Sequence, residues 1–146
     1  MLMLELMDSV PFFDSFTLAE KKYFIEADSF FVHFEPGGYL IREGDVEDSS
    51  LYILVRGEVL VTRNSHPDHP LARLRAGAVL GEISFLTHRP RMTNVRALTK
   101  TIAFRLDGHS LERMSLPLQV RIKDQLITIL VKRLDEMNLA MLSMVR

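Results

Sequence analysis

The sequence has no cysteine and no tryptophan. Without thiols there is no disulfide framework and no thiolate metal site, and the composition fits a reducing compartment, the cytoplasm. Neither sign of charge is in excess. Eighteen Lys and Arg against 19 Asp and Glu give a formal net charge of −1, so bulk attraction to nucleic acid is not expected. No apolar run approaches the roughly 20 residues that a membrane span needs. The opening MLMLELMDSV is apolar but short, lacks a basic lead-in and is interrupted by Glu5, so it reads as a fraying helix and not as a signal peptide. There is no internal repeat and no low-complexity tract.

What is there is enough for a core. The chain has 146 residues, 47% of them apolar, which suits one domain spanning 1–146. Residues 1–28 read as helices. Thr17 with Glu20 three residues on is a capping-box pattern, so a helix starts near Leu18. Phe12, Phe13, Phe16, Tyr23, Phe24 and Ile25 give this region an apolar face that fits a lid on a core.

From Ser29 the pattern changes to short extended runs broken by Gly, Pro, Asn and Asp. Strands are expected over 30–34, 39–42, 51–56, 58–63, 71–75, 94–98 and 101–106, with turns at Glu35–Gly38 and Glu43–Asp45. About eight short strands at regular spacing point to a mainly β sandwich or barrel over 29–106. Residues 107–146 return to helix. Asp107 caps a short one over about 110–115, and Pro117 suits the first turn of a long one from about Leu118. On that helix Ile127, Leu130, Leu134, Met137, Met141 and Met144 fall 3, 4, 3, 4 and 3 apart, a heptad seam.

The chemistry is concentrated in residues 81–95, GEISFLTHRPRMTNV. Gly81 lets the backbone turn tightly and approach a ligand. A helical turn after it offers free N–H groups and partial positive charge to an anion. Arg91 can present a planar fork of donors to the same anion, unless it is a surface arginine bridging a carboxylate. Glu82 can cap the helix or accept from a sugar hydroxyl. One loop thus holds parts for an anion and a polyol together.

The run GEISFLTHRPRMTNVRA resembles the phosphate-binding cassette of cyclic-nucleotide-binding domains, as found in the catabolite activator family and in protein kinase A regulatory subunits. Gly-Glu, an apolar residue, a small residue, a Pro and an Arg match in order from Gly81 to Arg91 without a gap. The likeness extends through FEPGGYLIREGDVEDSSLYILVRGEVLVTR. It implies a jelly roll (double-stranded β-helix) with an N-terminal helical bundle and a long C-terminal helix. It assigns the phosphate to Arg91 and to the backbone N–H groups of Ile83 and Ser84, after Gly81, and the ribose hydroxyl to Glu82. Met92 departs from the small residue or Ser/Thr usual after the Arg. It has no donor for a phosphate or a guanine amino group, which favours cAMP over cGMP. Thr93 offers a hydroxyl one position later. Lys132-Arg133-Leu134 resembles the family's Arg-Arg-Leu, which carries base contact forward to Asn138, with Met137 able to stack. The Glu43-Gly44-Asp45 turn and Gly57 are given no direct chemistry.

The implied protein is a non-catalytic regulatory domain that binds cAMP, or possibly cGMP. It is a homodimer through its C-terminal helix and acts on an effector protein the sequence does not identify. The resemblance stops before the catabolite activator's helix-turn-helix, so direct DNA binding is not expected; the chain suits a stand-alone protein or the sensory fragment of a larger regulator. Two rivals stand beside this reading. One is a dimerisation scaffold of the same fold with its pocket blocked by Met92. The other is a metal-dependent cupin-like enzyme using His66, Asp68 and His69, but the cupin His-x-His with a downstream Glu is absent. No nucleophilic triad or Gly-rich triphosphate loop is present, and Glu82 is the only acid assigned to the cleft.

Overall fold

The computed structural model describes residues 2–145; residues 1 and 146 of the expected single domain lie outside them. The chain divides into two compact units, one up to Arg113 and one from Met114.

The first unit begins with helix α1 (Leu2–Asp8), a 3-10 turn at Pro11–Phe13 and helix α2 (Leu18–Ala27). The capping box at the start of α2 is formed: Thr17 Oγ1 accepts from Glu20 N at 3.1 Å, and Glu20 Oε1 accepts from Thr17 N at 2.8 Å. Eight strands follow, β1 (Phe31–Phe34), β2 (Tyr39–Ile41), β3 (Leu51–Arg56), β4 (Glu58–Thr62), β5 (Ala72–Arg75), β6 (Val79–Leu80), β7 (Asn94–Ala97) and β8 (Thr101–Leu106). Helix α3 (Glu82–Thr87) lies between β6 and β7, and α4 (Gly108–Glu112) follows β8. The short α4 sits earlier than the sequence suggests. Asp107 accepts from Ser110 N at 2.7 Å, which fixes Asp107 as the N-cap and Gly108 as the first helical residue.

Two four-stranded antiparallel sheets result, in the orders β1-β8-β3-β6 and β2-β7-β4-β5. This is the jelly-roll arrangement. Non-neighbouring strands pair within each sheet, so residues distant in sequence meet across the register. One core lies between the sheets: Leu40, Ile41, Val59, Val95 and Ala97 from one, and Tyr52, Leu54, Leu80 and Ala103 from the other. The next residue along β8, Phe104, points to the opposite face, as period-two alternation requires. There it meets Phe13 (5.3 Å between ring centroids, edge-on), Phe24 (4.9 Å) and Phe30 (5.8 Å). The N-terminal helices thus cover the outer face of the first sheet with an aromatic layer.

The second unit is helix α5 (Leu116–Met144), 29 residues long. It starts two residues before the sequence estimate because Ser115 is its N-cap, leaving Pro117 in the first turn. Leu118, Ile122 and Leu126 are buried, whereas Ile127, Leu134, Met137, Met141 and Met144 are exposed.

Candidate functional site

Gly81 is the N-cap of α3, at φ +75°. A Cβ there would stand 2.5 Å from Arg91 Nη1, 2.9 Å from the Ser50 carbonyl oxygen and 3.2 Å from Ile41 Cδ1. Glycine is therefore required twice, by backbone conformation and by space. The α3 helix is longer than the single turn anticipated. It closes at His88, in the left-handed region at φ +59°, whose N–H donates to Ser84 O at 2.8 Å. Glu82 is its first residue and half-buried, and no side-chain hydrogen bond caps this end. The N-cap position itself belongs to Gly81 and not to Glu82.

Arg91 is 3% exposed. Its backbone is clamped on both sides by the Glu43-Gly44-Asp45 turn: Arg91 N donates to Asp45 O at 2.9 Å, and Gly44 N donates to Arg91 O at 2.7 Å. That turn, read from sequence as a bend alone, sets the height of the arginine. The guanidinium donates from Nη2 to Ser50 O at 2.7 Å and from Nη1 to Gly81 O at 3.2 Å. Nη2 also faces Asp48 Oδ2 at 3.4 Å. Nε is buried and has no hydrogen-bond partner among the described residues. A buried charged donor without an acceptor is costly, and a ligand oxygen is the kind of group that would satisfy it.

Asp48 is the residue that the sequence did not disclose. Its Oδ1 accepts from Ser50 N at 3.0 Å and faces Arg105 Nη2 at 3.3 Å; its Oδ2 accepts from Tyr52 Oη at 3.0 Å. Burial works to raise its pKa. The hydrogen bonds from Ser50 and Tyr52 and the charge of Arg105 outweigh that and hold it at about 2. Tyr52 moves the other way, pushed up to about 12 by burial and by the negative charge of Asp48 beside it. For Arg105 burial acts downward, but Tyr52 and Asp48 together raise it. Glu82 is thus not the only acid beside the cassette. The second one is locked as a carboxylate between two guanidinium groups, which suits it to holding cations and not to donating protons. The signal available in sequence was a pair of charges out of pattern: Asp48 just before a buried strand, and Arg105 within the apolar run TIAFRL.

The other candidates differ in their exposure. Ser84 is buried, Ile83 exposed and Thr93 half-buried, while Met92 is 58% exposed immediately after the arginine. Asn138 lies exposed on α5, in the second unit. His66 and His69 are exposed, and no group of three His, Asp or Glu among the described residues is placed to hold a metal ion. No helix among them is long and apolar enough to cross a membrane.

Comparison with known proteins bears on this geometry. Residues 31–116, more than half of the chain, match the profile of the cyclic nucleotide-binding domain. The chain is 31% identical over 102 residues to a cAMP-dependent protein kinase regulatory subunit of Dictyostelium discoideum, covering 66% of this chain and 31% of that protein. It is also 31% identical over 96 residues to the cGMP-dependent protein kinase egl-4 of Caenorhabditis briggsae, covering 66% of this chain and 12% of the kinase. It therefore spans a third or less of these relatives. A solved cyclic nucleotide-binding domain from Methylobacillus flagellatus superposes with a TM-score of 0.75 at 24% identity, covering 99% of this chain and 83% of that one, which supports the fold.

Proposed function

Because the chain belongs to the cyclic nucleotide-binding domain family, we propose that it is a non-catalytic regulatory domain that takes up a cyclic nucleotide, cAMP in preference to cGMP, on residues 81–95. The observation that carries the reading is the unpartnered, buried Nε of Arg91. A cyclic phosphodiester bears one negative charge and two exocyclic oxygens, one of which would accept from this group. The N–H groups of Ile83 and Ser84 would meet the phosphate, and Glu82 would accept from the ribose 2′-hydroxyl. Met92 brings no hydroxyl for the guanine amino group, which favours adenine. Thr93 offers a hydroxyl one position after Met92, and Asn138 is the candidate for the base edge. The related kinase proteins include one named for cAMP and one for cGMP, so the preference rests on this chain's own residues.

Output would pass through α5, paired with α5 of a second chain, to an effector protein in the cytoplasm. The exposed Met side chains of its outer half suit re-packing between two arrangements. Ligand can shift such an equilibrium only by binding one arrangement more tightly.

A second reading also has an observation behind it. Two carbonyl oxygens and Asp48 already face the Nη groups of Arg91, as they would in a scaffold that binds nothing. Thermal melting and calorimetry with cAMP and cGMP separate the two. The regulatory reading expects a raised melting temperature with cAMP, less with cGMP, and a loss of about tenfold to hundredfold in cAMP affinity for Arg91→Ala. Unchanged melting with both nucleotides leaves the scaffold.

A further inference from the structure

We propose that Arg105 is a positioning residue for Arg91, acting through Asp48 to keep the Arg91 charge free for an anionic ligand. The inference rests on the cyclic-nucleotide reading above. Asp48 holds a guanidinium on each oxygen, Arg105 Nη2 at 3.3 Å from Oδ1 and Arg91 Nη2 at 3.4 Å from Oδ2.

The register of the first sheet puts Arg105 there. Tyr52 of β3 stands opposite Arg105 of β8, so the two side chains leave the same face. That face is the inner one, which Tyr52 shares with Leu54 and Ala103 in the core. Arg105 is the charged residue at the end of this inward-facing row, and both it and Tyr52 reach Asp48. Ser50 N and Tyr52 Oη anchor the carboxylate independently, each at 3.0 Å.

The charges then decide the outcome. With Arg105 on Oδ1, the carboxylate is already neutralised by a cation other than Arg91. Arg91 keeps a net positive charge inside a partly dry site, where attraction for an anion is stronger than in water. Without Arg105, Asp48 would pair with Arg91 alone. An incoming phosphodiester would then meet a neutral pair and a carboxylate close by.

The test is a double-mutant cycle with cAMP and cGMP as probes, read by calorimetry, with melting of the unliganded proteins as the control for folding. Arg105→Gln is expected to weaken binding about tenfold, and Arg105→Lys to keep most of the affinity. In an Asp48→Asn background, the further change to Gln at 105 is expected to matter less than about threefold, because the group it acts through is neutral. Asp48→Ser serves as a second uncharged background should the first not fold. Equal losses in both backgrounds would overturn the inference, since Arg105 would then act directly on the ligand or on the fold. Wild-type binding untouched by Arg105→Gln would overturn it alone. Wild-type protein that takes up neither nucleotide would overturn the functional reading and this inference together.

Discussion

Arg91 and Gly81, ten residues apart, are fitted to one another: Arg91 Nη1 donates to the Gly81 carbonyl at 3.2 Å, and the space where Gly81 lacks a Cβ is the space that this nitrogen fills. Gly81→Ala should therefore act in two ways. The left-handed backbone at φ +75° would be strained, and the added methyl would collide with the guanidinium and with Ser50 O. Together these should cost about 2–4 kcal/mol of stability. Urea unfolding would read this directly. A variant as stable as wild type would mean that the guanidinium does not rest against Gly81.

Asp48 links stability to acid. Its carboxyl titrates at about 2 in the fold against an ordinary 3.8. A depressed carboxyl stabilises above its unfolded pKa, and that contribution is lost as pH falls through the folded value. The window is therefore about pH 4 down to pH 2. The full linkage would be about 2 kcal/mol, and screening by water at this partly exposed group reduces it to about 1 kcal/mol. The stability difference between wild type and Asp48→Asn should stay level above pH 5 and narrow by that amount towards pH 2. A difference that stays flat across the window would show that Asp48 is not held as a carboxylate by its neighbours.

The cassette was legible because its chemistry is local: Gly81, Glu82 and Arg91 fall within eleven positions and match a known order. The strands were legible from alternation and turn residues, apart from β6, and their jelly-roll arrangement only from the family resemblance. That strand is two residues long, too short to show a period. The companions of Arg91 were not legible. Ser50, Asp48 and Arg105 lie in other parts of the chain, and Arg105 meets Asp48 across 57 residues of sequence. They converge only once β3 has paired with β8 in one register, and no spacing rule in a single sequence encodes that pairing. The clamp of Arg91 by Gly44 and Asp45 was hidden for a related reason, since it uses backbone atoms, which leave no signature in residue type.

The outer half of α5 carries the last prediction. Ile127, Leu134 and Met141 recur every seven residues and are 59%, 57% and 62% exposed. Leu130, Met137 and Met144 form the companion row, and of these Leu130 is half-buried. A seam of this period is self-complementary when two copies of the helix pair. Placing Lys at Leu134 or at Met137 would put an unpaired charge from each chain into that seam, a cost of several kcal/mol. Sedimentation equilibrium should find wild type as a dimer. Leu134→Lys should raise the dissociation constant more than about hundredfold while leaving the melting of the residues up to Arg113 unchanged. A wild-type chain that sediments as a monomer across the concentration range would rule out pairing through α5, and would leave its exposed apolar row to a different protein.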